Sequence, residues 1–171
     1  MRFAGHVRPA LPVDLPAITE IYNQAVADRI ATCDLSDVSV ERRAEWLGRH
    51  RHPYGVWVAD DGEVCGWVAV SAYDPKPCFH RTATFATYVA RSRRGTGVGT
   101  ALRRVMIEEA TRRGFHSLVN RVWANNEASI ALAKQFGFRQ VGHMHELVEL
   151  DGEYIDCLFF QLILDDPGVP T

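Results

Sequence analysis

Arg93-Arg94-Gly95-Thr96-Gly97-Val98-Gly99 joins two segments of different period. Thr82 to Val89, before it, reads as a strand. From Gly97 onward the apolar positions Val98, Ala101, Leu102, Val105 and Met106 recur at helical spacing, and Gly114 closes the run. The order is therefore strand, glycine-rich turn, helix. Glycines at 95, 97 and 99 place no Cβ between the backbone and an approaching anion. The helix adds unsatisfied N–H groups and the positive end of its dipole.

Two other phosphate loops fail on residues. A P-loop needs Gly-Lys-Ser/Thr after the glycines, and none follows. A dinucleotide fingerprint starting at Gly95 needs glycine at position 100, where Thr100 stands, and the next strand ends in Trp123-Ala124-Asn125 rather than in an acid. The glycines could also merely shape a tight connection. Arg91, Arg93, Arg94 and the periodic helix behind them favour the anion.

Outward from the turn, Asp14 is placed to cap a helix carrying Leu15, Ile18, Ile21, Tyr22 and Ala25, and Ser39 a second one. Tyr54 to Ala59 and Val64 to Ser71 flank Asp60-Asp61-Gly62-Glu63 and read as a hairpin. Ser117 to Trp123 reads as a strand, Asn126 to Phe136 as a short helix ended by Gly137, and Phe138 to Leu150 with Tyr154 to Leu164 as two strands around Asp151-Gly152. The expected architecture is α/β (α+β): one domain over 1–171, ordered from about 7 to 164 with a loose tail at 165–171, and a mixed, mostly antiparallel sheet of six to seven strands flanked by helices.

At 171 residues and 47% hydrophobic, the chain can bury one sizeable core. A formal charge of −2 provides no basic field for nucleic acid or an anionic membrane. Cys33, Cys65, Cys78 and Cys157 are scattered, without metal-ligand spacing, and are expected to be reduced and mostly buried; no metal is expected. No leader-like or membrane-length apolar run is seen, so a cytoplasmic location is expected.

The spacing Arg94-x-x-Gly97-x-Gly99 resembles the pyrophosphate loop of the GNAT superfamily of N-acetyltransferases, and Asn125-Asn126-Glu127-Ala128-Ser129-Ile130-Ala131-Leu132 with Phe136-Gly137-Phe138 resembles that family's second cofactor segment. Ile21-Tyr22-Asn23, Ala31-Thr32, Val38-Ser39, Asp61-Gly62-Glu63-Val64, Tyr88-Val89 and Asp151-Gly152-x-Tyr154-x-Asp156 are similar to the phosphinothricin and methionine-sulfoximine acetyltransferase group, over Val7 to Gln161. The resemblance implies acetyl-CoA as cosubstrate, held by Arg94, Gly95, Thr96, Gly97, Val98, Gly99, Thr100, Asn126 and Ser129, with the backbone of Thr87, Tyr88 and Val89 meeting the pantetheine and the acetyl oxygen. It implies a small-molecule primary amine as acceptor, an amino acid or analogue, and a homodimer.

Two positions depart from the group. Its strand carries a glutamate credited with deprotonating the amine, where this chain has Thr84, whose hydroxyl can orient water or substrate. A tyrosine or histidine of the later helix is replaced by Ala133. Thr84 and Tyr88 are the catalytic candidates, and His80, His143, His145 and Glu146 are replacement bases. The turn holding Lys76, Pro77, Cys78, Phe79 and Arg81, with Thr84, is the substrate-binding candidate. Trp46, Trp57, Trp67 and Trp123 read as core or as pocket wall. The alternatives are a weak or inactive coenzyme-A-binding relative, or an enzyme acetylating peptides or proteins.

Overall fold

The computed structural model describes residues 2–164; the tail read at 165–171 lies outside them. Seven strands, β1 (His6–Pro9), β2 (Gly55–Asp60), β3 (Val64–Ala72), β4 (Thr82–Val89), β5 (Ser117–Trp123), β6 (Arg139–Leu150) and β7 (Glu153–Ile163), form one sheet in the order β1-β2-β3-β4-β5-β7-β6. Neighbours pair antiparallel except β4 and β5, which run parallel. The helices are α1 (Leu15–Asp28), α2 (Val40–Arg49), α3 (Val98–Arg112) and α4 (Glu127–Gln135).

β3 is buried on both faces, which is why its sequence runs apolar without alternation. Val68 and Val70 join Phe85, Leu102, Met106, Leu118 and Phe160 in a core under α3 and α4. Trp67 and Ala69 join Ile18, Ile21, Tyr22 and Val58 in a second core under α1 and α2. The β6–β7 hairpin turns at Asp151 and Gly152, both at positive φ (52° and 85°), as the Asp-Gly dipeptide requires.

Local expectations and outcomes differ in three places. β1 was not foreseen, because four residues on a sheet edge are too few to show a period. Ser39 caps α2, accepting the Arg42 amide. Asp14 does not cap α1: its carboxylate accepts the Leu11 amide at 2.8 Å and both Nη groups of Arg8 at 2.8 and 2.9 Å, and Arg8 also reaches Asp60. Cysteine burial is divided, with Cys65 and Cys157 buried and Cys33 and Cys78 exposed.

The Arg8 guanidinium holds the Asp14 carboxyl below its usual value. A carboxyl lowered in the folded state contributes stability at neutral pH that is lost as pH falls through and below the ordinary carboxylate range. Asp14→Asn should cost about 2 kcal/mol at pH 7, since the hydrogen bonds removed are charge-assisted. Chemical denaturation at pH 7 and pH 3.5 checks this: the gap between wild type and variant should shrink at the lower pH.

Candidate active site

β4 and β5 pair at three positions, Thr82 with Ser117, Ala83 with Leu118 and Thr84 with Val119, and then separate. The gap opens a cleft of about 570 Å³ between Thr84–Tyr88 of β4 and Val119–Trp123 of β5. The Ala90 amide bonds the Cys65 carbonyl, and alternation along the unbroken β3–β4 register turns the peptide groups of residues 84, 86 and 88 toward β3. Those of Phe85, Thr87 and Val89 therefore face the opening. The Tyr88 amide, expected to meet the acyl group, is used by the sheet. Its hydroxyl donates to the Ala31 carbonyl at 3.2 Å, and its ring packs on Trp67 and Tyr22. Burial pushes the phenol pKa up, so it stays protonated.

The glycine turn follows the end of β4; neither Val89 nor any residue from Arg94 to Thr100 borders the cleft itself. Gly95 and Gly97 take φ of 73° and 99°, a left-handed backbone that favours glycine. Six successive amides, Gly95 to Thr100, make no backbone hydrogen bond among the described residues, and the last three head α3. A Cβ on Gly99 would touch Leu132 at 3.4 Å, so that glycine lets α3 approach α4. The flanking arginines brace the turn: Arg91 and Arg94 bind Asp28, and Arg93 binds Asp61. Thr87 Oγ1 is buried in the cleft wall with no hydrogen-bond partner among the described residues. Unused amides at a helix start and an unmated strand edge suit a phosphate joined to an amide-bearing arm, as in coenzyme A.

Across the sheet, on the α1 and α2 face, Ser71 pairs in register with Thr84, and both line the cleft. Ser71 Oγ lies 2.9 Å from His50 Nε2, and His50 Nδ1 lies 2.8 Å from the Trp46 carbonyl. A carbonyl only accepts, so Nδ1 carries the proton and Nε2 accepts from the serine hydroxyl. Burial, with the Arg43 and Arg49 charges adding to it, lowers the His50 pKa against the opposing pull of the Trp46 carbonyl. His50 is therefore neutral at pH 7. Among the described residues Asp34 is the one carboxylate lining the cleft; it accepts the Tyr22 hydroxyl at 2.6 Å. A second pocket of about 280 Å³ shares Asp34, Ser71, Ala86 and Tyr88 with the first and is bordered by Arg42, Arg43 and Arg49. Arg43 lies 4.0 Å over the Tyr22 ring.

Of the candidate residues, Thr84, Thr87, Tyr88, Asn126 and Ser129 line the cleft. Asn126 caps α4 through the Ser129 amide and donates to the Ile30 carbonyl, tying the α1–α2 connection to α4. Lys76, Pro77, Cys78, Phe79 and Arg81 line neither pocket, and Arg81 Nε bonds the Gly114 carbonyl. Ala133 is fully buried in the core. His80 bonds the Pro77 carbonyl, while His143, His145 and the Glu146 amide all converge on Asp156; none of these borders either pocket. Trp57, Trp67 and Trp123 are core, though Trp123 also borders the cleft and Trp46 with Trp67 the second pocket. His50, Ser71 and Asp34 had no motif to reveal them.

The Acetyltransferase (GNAT) family model matches residues 16–138. An L-methionine sulfoximine/L-methionine sulfone acetyltransferase of Pseudomonas paraeruginosa is 35% identical over 95% of this chain and 96% of its own length. A phosphinothricin N-acetyltransferase of Streptomyces coelicolor is 31% identical over 91% of this chain and 94% of its own. The crystal structure of a phosphinothricin acetyltransferase from Sinorhizobium meliloti in complex with acetyl-CoA superposes with a TM-score of 0.91 at 26% identity, covering 98% and 92% of the two chains. With the open β4–β5 gap and the unpaired amides of the glycine turn, these matches establish that the chain belongs to the GNAT family of acetyltransferases.

Proposed function

We propose that the chain transfers an acetyl group from acetyl-CoA to the primary amine of a small, carboxylate-bearing acceptor, an amino acid or analogue. The observation that carries this reading is the parting of β4 and β5 after Thr84, with unpaired amides at one end and Ser71, His50 and Asp34 at the other. Relatives named for methionine sulfoximine and phosphinothricin favour a small acceptor over a peptide, and over a catalytically inactive role.

Acetyl-CoA supplies an activated acyl carbon and a thiolate leaving group. The amides of Gly95 to Thr100 hold its pyrophosphate, and the cleft-facing amides of Phe85, Thr87 and Val89 receive its amide arm and polarise the acyl oxygen. Asp34 attracts the acceptor ammonium, and the cationic second pocket holds its carboxylate. Ser71, backed by neutral His50, receives the proton the amine must lose, standing in for the glutamate absent at Thr84.

Thiol release from acetyl-CoA, measured with amino acids, their carboxamides, polyamines and short peptides, tests the reading. Free amino acids should be acetylated, and their carboxamides should show KM raised by roughly ten-fold or more, the worth of one charge-assisted contact. Turnover of peptides but not amino acids would move the function to protein acetylation. Binding of acetyl-CoA without turnover of any amine would leave a coenzyme-binding protein.

Two coarser features complete the proposal. No helix among the described residues is long and apolar enough to cross a membrane, and we place the chain in the cytoplasm, without nucleic acid or membrane partners. A homodimer would use the outer strand β6, where Val141, Met144 and Leu147 are exposed. A monomer in sedimentation velocity at micromolar concentration would remove the dimer.

A further inference from the structure

Arg103, in the second turn of α3, is 2% exposed and buries Nε and Nη1 without a hydrogen-bond partner among the described residues. Its guanidinium lies 4.4 Å over the Phe85 ring and 5.4 Å from that of Phe138, and it borders the active-site cleft. Aromatic faces recover only part of the cost of desolvating a cation. Burial draws the Arg103 pKa down to about 10, which leaves it charged at neutral pH. Two residues beyond Phe85 on the same face of β4, Thr87 holds its unpartnered hydroxyl. Asn120, buried on β5, lines the other wall. A sealed cation beside a free hydroxyl and an amide is complementary to a carboxylate.

Position selects which carboxylate. α3 runs back along β4, so passing from the glycine turn to Arg103 corresponds to passing from Val89 to Phe85, about 13 Å of strand. Arg103 therefore stands toward the closed end of the cleft, where Thr84 still pairs with Val119, and the phosphates belong at the other end. It lies on the α3 face, whereas the acceptor has its own cationic pocket on the α1 and α2 face. What can reach Arg103 is the far end of the acyl group. We infer that Arg103, with Thr87 and Asn120, forms an acyl subsite that binds the free carboxylate of a dicarboxylic acyl-CoA, so that the chain accepts a carboxylated acyl donor besides acetyl-CoA. This rests on the coenzyme A reading of the cleft. In the transfer the amine nitrogen bonds the thioester carbonyl carbon, the C–S bond breaks with its electrons going to sulfur, and the amine proton ends on the thiolate. The distal carboxylate passes unchanged into the N-acyl product.

Calorimetric titration of the full chain and its Arg103→Leu and Arg103→Lys variants with acetyl-, butyryl- and succinyl-CoA tests this, because butyryl and succinyl have the same carbon count and differ in the carboxylate. Wild type should bind succinyl-CoA roughly ten- to a hundred-fold tighter than butyryl-CoA. Arg103→Leu should erase that ratio and leave acetyl-CoA affinity within about three-fold, with Arg103→Lys between. No preference in wild type, or a preference that survives Arg103→Leu, overturns the subsite. An equal loss for all three thioesters overturns it as well, making Arg103 a contact to the coenzyme. So does a KM rise for amino acids but not their carboxamides, which would give Arg103 to the acceptor. If Arg103→Leu fails to fold, the wild-type ratio decides. Failure of every thioester to bind removes the coenzyme reading together with this one, whereas acetyl-CoA binding with a ratio near one removes the acyl subsite alone.

Discussion

Gly97→Glu should lower acetyl-CoA affinity by about a hundred-fold or more, equivalent to roughly 3 kcal/mol. The causes are local. Gly97 sits at φ 99°, where a side chain is strained by about 1–3 kcal/mol. Apart from its own chain neighbours, no atom of the described residues lies within 4 Å of a Cβ built there, so there is no packing clash, and a carboxylate would project into the space proposed for phosphate. Gly97→Ala separates the two effects: it carries the strain without the charge and should lie between wild type and Gly97→Glu. Titration with acetyl-CoA, alongside thermal melts of the free proteins, distinguishes a lost coenzyme site from a lost fold. Unchanged affinity in a folded Gly97→Glu protein would place the pyrophosphate elsewhere.

His50→Gln should reduce kcat/KM by about a hundred-fold, the range for removal of a general base, with acetyl-CoA affinity unchanged. The base must be neutral to act. Because burial holds the His50 pKa below the usual histidine value, wild-type activity should persist at pH 7 and fall only as the pH drops below about 6.5. That acidic limb should move or vanish in His50→Gln. Ser71→Ala should behave alike, since the serine hydroxyl is the link between His50 and the cleft. Thr84→Glu sets a carboxylate opposite Ser71 in the β3–β4 register and should restore part of the rate to His50→Gln. A pH profile and rate indifferent to His50 would reassign the base, with Asp34 the next cleft residue to test.

Much of the fold was legible because its signals are local. The Asp-Gly turn of β6–β7, the Ser39 cap and the periodic stretch of α3 each depend on residues within one or two turns of chain. The glycine turn was legible for the same reason. What failed was also instructive: Asp14 has the chemistry of a cap, yet a guanidinium brought from β1 by pairing with β2 captures its carboxylate. The position of the turn at 76–81 was not legible in the same way: it borders neither pocket, and Arg81 Nε donates to the Gly114 carbonyl just past α3.

The sequence by itself determined the order of elements, the mixed sheet and a glycine turn at the head of a helix, since periodicity and glycine's access to positive φ are properties of short segments. Tertiary structure decided the chemistry around that turn. His50 and Ser71 are 21 residues apart, and the Trp46 carbonyl fixes the tautomer that makes one a base for the other. The solvent exclusion that keeps His50 neutral, and that leaves two Arg103 nitrogens without a hydrogen-bond partner among the described residues, comes from helices packed on opposite faces of one sheet. Desolvation and cross-strand register are sums over residues remote in the chain, so no stretch of sequence carries them.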